Sequence, residues 1–237
     1  MEFPSTRTGV SIIIPAYNEE QTIDDVIDQT VDTMNTTRMP YEIIVVDDGS
    51  TDRTGEHAAR HNNIRLLSNM ENRGKGYCLK RALDYAKGDI IVTMDSDGEH
   101  KPKEIPDLLE PLFTGADVVS GSRFLNNDPD VTSKLHKIGN HFFNLTIMSL
   151  TGKWITDSQT GFRAMRRDVL DKLNIESDGY EVETEIAVKS LRNNFAFEEK
   201  PVTINKRRYS VSKIRLLTDG GKILKTIIRS NTARIRQ

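Results

Sequence analysis

The chain has 237 residues, 36% of them hydrophobic and 29% charged, which suits one globular domain with at most a small appendage and excludes a disordered chain. No run approaches the roughly 18–20 apolar residues of a membrane span. The single cysteine, Cys78, excludes an internal disulfide and an all-cysteine metal cage. Net charge is −2, yet residues 201–237 hold ten Lys/Arg and one Asp, a local +9 beside −11 for residues 1–200. That polarity points to an anionic partner at the carboxyl end (a phosphorylated ligand, an anionic membrane surface or nucleic acid) or to a solubilising tail. Residues 1–9 lack an apolar signal core, so the chain is expected in the cytoplasm.

In chain order, Val10–Pro15 reads as a strand and Glu19–Met34 as a helix, with Ile23, Val26, Ile27, Val31 and Met34 on one face. Glu42–Val46 is a strand, Thr51–Arg60 a helix, Ile64–Leu67 a short strand and Lys75–Ala86 a helix. Asp89–Met94 and Asp117–Ser120 are strands. Beyond Arg123 come a loop, a helix over Leu135–Leu150, a polar turn-like stretch at 155–163, a helix at Glu181–Leu191 and a strand at Phe197–Ile204. Last is a basic amphipathic helix at Lys213–Arg229, interrupted by Gly220-Gly221. Apolar strands joined by helices predict an α/β layer fold, a mostly parallel sheet flanked by helices, with ligands beyond the carboxyl ends of the strands. The polar clusters Pro15–Glu19, Asp47–Asp52 and Asp95–His100 fall at that edge.

Asp95-Ser96-Asp97 closes a strand. Two carboxylates two residues apart on such a turn can share a divalent cation with phosphate oxygens, in the manner of Mg²⁺ and Mn²⁺. Alternatively the turn is simply solvated. A calcium hand is excluded, because its sixth and twelfth positions are here His100 and Pro106. Asp47-Asp48 offers carboxylates to a base or a ribose, or a helix cap. The dinucleotide motif G-x-G-x-x-G and the P-loop motif are both absent. The loop Asn72-Arg73-Gly74-Lys75-Gly76 reads as a phosphate contact or a capped turn. His57 and His61 have zinc spacing without a third ligand, and read as a solvated helix face.

Taken in order, SIIIPAYNEE, EIIVVDDGSTDRT, NRGKGYCLKRAL, DIIVTMDSDGEH and VVSGSRF resemble a family 2 glycosyltransferase of GT-A (Rossmann-like) fold. DSQTGFRAMRRDVL, GYEVETEI and RRYSVSKI resemble the branch that glycosylates polyprenyl (dolichyl) phosphate, and the likeness spans roughly residues 9–215. It implies one GT-A domain over residues 1–237: a nucleotide-sugar half (9–125), an acceptor-side half (126–212) and a basic tail (213–237). It implies that Pro15, Tyr17, Glu19, Val46 and Asp48 line the base and ribose pocket. Asp95, Ser96 and Asp97 would then lie along the diphosphate and sugar, with Lys75 at a phosphate. Asp97 would be the main ligand of Mg²⁺ or Mn²⁺, with Asp95 and with Glu99, which replaces the family's usual Gln. Arg123, Arg163, Arg207 and Lys213 would contact donor or acceptor phosphates, and Asp157 would lie near the acceptor.

The implied reaction is inverting transfer of a hexose by direct displacement, with UDP-glucose or UDP-N-acetylglucosamine ahead of GDP-mannose as donor because of DSQTGFR. A phosphate acceptor needs cations to hold it but no general base. A hydroxyl acceptor would instead use Asp157 as base and leave Arg207 and Lys213 dispensable. Many relatives carry membrane-spanning helices after this point, so the chain is expected to reach its lipid peripherally, with the basic helix on the cytoplasmic face of a membrane, or through a partner. A nucleotidyltransferase lacks its early phosphate loop here. A non-enzymatic binder of anionic surfaces leaves Asp95 and Asp97 without a purpose. Nucleic acid is not expected, since no aromatic residues interleave the basic surface.

Overall fold

The computed structural model describes residues 9–126, 134–205 and 216–232. Seven strands form one sheet: β1 (Val10–Ala16), β2 (Tyr41–Asp47), β3 (Arg65–Ser68), β4 (Ile90–Thr93), β5 (Val118–Ser122), β6 (Arg163–Arg166) and β7 (Phe197–Pro201). Their order is β3-β2-β1-β4-β6-β5-β7. Neighbours run parallel except at β6, which is antiparallel to both β4 and β5. The sheet is therefore mostly parallel, and residues 126–212 contribute β6 and β7 to it.

Alternation along β1 shows why its run is apolar throughout. Ile12 and Ile14 face α1 (Ile23–Thr37) and α4 (Ile105–Thr114), whereas Ile13 faces α3 (Lys75–Leu83), α6 (Arg167–Leu173) and α7 (Val182–Arg192). A strand covered on both faces keeps apolar side chains at every position. A third cluster joins Ile147, Ala187, Val188, Leu191, Ile223 and Ile227 where α5 (Lys134–Thr151), α7 and α8 (Leu216–Thr232) meet.

Several boundaries differ from the sequence reading for identifiable reasons. Helix α1 begins at Ile23 rather than Glu19, because the carbonyl of Glu19 closes a turn onto the N–H groups of Thr22 and Ile23. Helix α2 is only Thr54–Ala58, because residues 51–53 are tied to the loop after β1. Strand β6 lies at the end of the stretch read as turns, and its four residues RAMR are too short to show a strand period. Helix α8 runs unbroken through Gly220-Gly221. Its Ile223 and Ile227 are buried against α5 and α7 while Ile228 is exposed, so part of the apolar stripe read as membrane-facing packs inward. Among the described residues, no helix is long and apolar enough to cross a membrane.

Candidate active site

The loops after β1, β2 and β4 meet at the carboxyl edge of the sheet. Loop 17–22 is laced to loop 50–54. Asn18 takes a left-handed backbone (φ 52°), its N–H donates to Ser50 Oγ at 3.0 Å, and its Oδ1 accepts the N–H of Thr51 at 2.8 Å. The N–H of Glu19 donates to Thr54 Oγ1 at 2.7 Å. Ser96 Oγ donates to the carbonyl of Pro15 at 2.9 Å, and Thr22 Oγ1 donates to that of Ser96 at 2.7 Å, which fixes the loop after β4 against the loop after β1.

These contacts frame a cleft lined by Pro15, Tyr17, Glu19, Asp48, Lys75, Asp95, Ser96, Asp97, Glu99 and Arg123. Val46 is not among the lining residues. It is fully buried with Ile13, Ile44 and Cys78, because side chains alternate along β2 and this one faces α3. Asp48 lines the cleft, but its carboxylate also accepts the N–H groups of Arg73 (2.9 Å) and Gly74 (2.8 Å) and the Asn69 amide (2.6 Å), so it holds the 69–74 loop. The glycines of that loop permit close backbone packing. Gly74 has φ 99°, and a Cβ there would lie 2.5 Å from the carbonyl oxygen of Asp178.

Lys75 sits at the centre. Its ammonium is ion-paired with Asp95 and, at 2.8 Å, with Glu183 of α7. Burial works against both charges, yet the pairing outweighs it. The carboxyl of Asp95 is drawn down to about 2 by Lys75, with help from His100 and Arg123, and the ammonium of Lys75 is held above its ordinary range. Gly161 makes room for this pair, since a Cβ there would lie 2.8 Å from Asp95 Oδ2. His100 is buried, stacks on Phe162 at 5.1 Å and lies 3.8 Å from Asp95.

On the far wall, Arg123 forks onto Asp157, Nε to Oδ2 at 2.7 Å and Nη2 to Oδ1 at 2.9 Å. Asp157 is 0% exposed with both oxygens engaged. It aims Arg123 into the cleft and does not itself line the cleft. Arg163 is likewise 0% exposed. Its guanidinium donates to the carbonyls of Glu183 (2.5 Å) and Ser158 (3.2 Å) and lies 3.6 Å from the Glu183 carboxylate. It sits behind Glu183, beneath the site, where phosphate does not reach. Burial depresses its basicity. Arg207 and Lys213 lie outside the described residues.

A divalent cation would find carboxylate oxygens at Asp95, Asp97 and Glu99, the donor type that Mg²⁺ and Mn²⁺ prefer. Among the described residues, however, no three such groups converge on one point, so the expected three-carboxylate set is not formed. One or two protein carboxylates with diphosphate oxygens completing the shell fit the residues present, and magnesium is commonly held that way. His57 and His61 do not face solvent as expected. Both bond to Asp24 of α1, at 2.6 and 2.9 Å, and pin α2 to α1.

Sequence reasoning missed Glu183, His100, Gly161 and Gln159, which lines the cleft with its amide donating to Thr184 Oγ1 at 2.7 Å. Glu183 and Gly161 lie within GYEVETEI and DSQTGFR, but only the fold brings them to Asp95.

A sheet with one antiparallel insertion and a cleft of carboxylates and cations at its carboxyl edge defines a GT-A-like α/β fold. It superposes on glucosyl-3-phosphoglycerate synthase from Mycobacterium tuberculosis, solved with Mn²⁺, UDP and phosphoglyceric acid, with a TM-score of 0.77 at 24% identity, over 95% of this chain and 79% of that one. Residues 11–173 match the model of glycosyl transferase family 2, and the chain belongs to that family. It is 30% identical over 229 residues to glycosyltransferase AglJ of Haloferax volcanii, covering 94% of this chain and 72% of that protein. It is 31% identical over 227 residues to polyprenol monophosphomannose synthase of Mycolicibacterium smegmatis, covering 89% and 82%.

Proposed function

We propose that the protein transfers a hexose from a nucleoside-diphosphate sugar to a polyprenyl phosphate. The observation that carries this reading is the Arg123–Asp157 fork. A hydroxyl acceptor needs a base to take its proton, and the acid offered for that role, Asp157, is buried with both oxygens bound. A phosphate monoester is already anionic near neutral pH and needs a cation to hold it, which Arg123 supplies at the cleft wall. The mycobacterial relative is itself a polyprenol phosphate enzyme, which supports the acceptor class.

In the reaction an oxygen of the acceptor phosphate attacks C1 of the sugar from the face opposite the diphosphate. The C1–oxygen bond to the diphosphate breaks, its electron pair leaves with the nucleoside diphosphate, and the configuration inverts. No proton has to move. Pro15, Tyr17 and Glu19 would flank the base and ribose, with Ser96 beside the diphosphate. Asp97, assisted by Asp95 or Glu99, would hold Mg²⁺ or Mn²⁺, whose charge offsets that developing on the leaving group. Lys75 keeps Asp95 ionised and in place.

DSQTGFR favours a uridine sugar, while the mannose product of the mycobacterial relative favours GDP-mannose. The test is incubation with Mn²⁺ or Mg²⁺, a short polyprenyl phosphate and, separately, UDP-glucose, UDP-N-acetylglucosamine and GDP-mannose, read by mass spectrometry. A lipid-phosphate-hexose from one donor, abolished by chelator, is expected. Donor hydrolysis without lipid product would move the acceptor to another class.

A further inference from the structure

Helix α5 is apolar on the face it turns outward. Its inward face mixes Ile147, in the apolar cluster with α7 and α8, with the buried Asn140 and Asn144, whose amides each donate to the carbonyl of Thr156 at 2.8 Å. Its outward face is apolar: Ile138, Phe142, Leu145 and Met148, spaced to share one side of a helix, are 67, 53, 47 and 45% exposed. Trp154 extends this face, 46% exposed with its ring 5.8 Å from that of His141. A globular helix normally turns a polar face to solvent, and a contiguous exposed apolar face marks a docking surface.

We propose that this face of α5 rests in the surface of an anionic lipid bilayer. Three observations favour a bilayer over a protein partner. Helix α5 contains no acidic residue and carries Lys134 and Lys137. Lys222 and Lys225 are exposed on α8, the helix that packs beside α5, a supply of cations next to an apolar face that suits an anionic membrane. The aromatic flank of Trp154 and His141 suits the boundary between headgroups and acyl chains. A second copy of the chain fits less well. Five half-exposed side chains offer on the order of 500 Å², below the ~800 Å² per partner of a stable interface.

The inward face then joins the membrane to the site. Asn140 and Asn144 hold Thr156, the next residue is Asp157, and Asp157 aims Arg123 into the cleft. Seated on α5, the cleft wall would lie about one helix diameter, ~10 Å, from the bilayer surface. This consequence rests on the lipid-phosphate reading above; the docking itself does not.

The test is flotation of the full chain with vesicles of phosphatidylcholine and phosphatidylglycerol in equal parts. The wild type should float. Phe142→Ser with Leu145→Ser should lower partitioning at least about tenfold with an unchanged melting curve, since neither side chain is in the core. Lys222→Glu with Lys225→Glu should cost roughly fivefold for each lysine, through the loss of salt-sensitive attraction. The control Tyr85→Ser, an exposed aromatic beside Arg65 of edge strand β3, should change nothing. Unaltered flotation of the Phe142/Leu145 variant would overturn the proposal. So would light scattering showing a wild-type dimer that the same variant dissolves. Transfer to a short, water-soluble polyprenyl phosphate should survive in that variant while transfer to vesicle-embedded acceptor falls. Absence of transfer to either acceptor would count against the enzymatic reading and leave flotation to decide the docking.

Discussion

The two walls of the cleft use charge in opposite ways. On the wall built by β1, β2 and β4, the carboxylates of Asp95, Asp97 and Glu99 reach the open cleft. On the wall built by residues 156–199, charges turn inward: Asp157 onto Arg123, Arg163 onto Glu183, and Glu185 onto Lys189 at 2.5 Å, nearly all of them buried. The first arrangement is suited to meeting a ligand and adds little to stability. The second is part of the architecture, and it delivers one cation, Arg123, to the cleft. An acidic or basic residue in a motif therefore says little about its role until its burial is known.

Substitutions should separate the walls. The largest expected effect is on stability: Arg163→Ala strips a buried partner from Glu183 and should cost about 3–5 kcal/mol in urea unfolding. Asp97→Ala should leave the urea midpoint nearly unchanged yet lower sugar transfer about 10²–10³-fold, and a chelator should do the same to the wild type. Equal stability losses for the two variants would erase the distinction.

Asp95 bridges the contrast, since it faces the cleft but is held by a buried lysine. Its carboxyl is lowered in the folded state, so the stability it lends is complete above the ordinary aspartate value of 3.8. That stability should fade as pH falls toward about 2. Lys75→Met should flatten this acid limb in thermal melts recorded from pH 5 downward. At the small end, Arg53→Ala removes an exposed pair with Glu20 at 3.4 Å and should move stability by no more than about 0.5 kcal/mol.

Much of the cleft-facing wall was legible in the sequence, because a loop after a buried parallel strand has one place to go. Asp95, Asp97 and Glu99 arrive there from their position behind DIIVTM alone. The inward-facing wall was not legible. RAMR is too short to declare itself a strand, and nothing local shows that Arg163 meets Glu183 twenty residues on. Val46 was misread because a site on a strand end depends on which face each side chain takes. Helix α5 was visible as a helix, but which of its apolar residues stay exposed emerged only once Asn140 and Asn144 were seen to bind Thr156 and Ile147 to pack on α7 and α8.

The central claim is that Asp157 aims Arg123 at an anionic acceptor and takes no proton. The most direct test is the pH dependence of kcat/KM for Asp157→Asn beside wild type, with polyprenyl phosphate as acceptor. Both profiles should rise through about pH 6, where a phosphate monoester gains its second charge, with the variant lower throughout. Loss of that limb in Asp157→Asn alone would show Asp157 acting as the base, and would contradict the account.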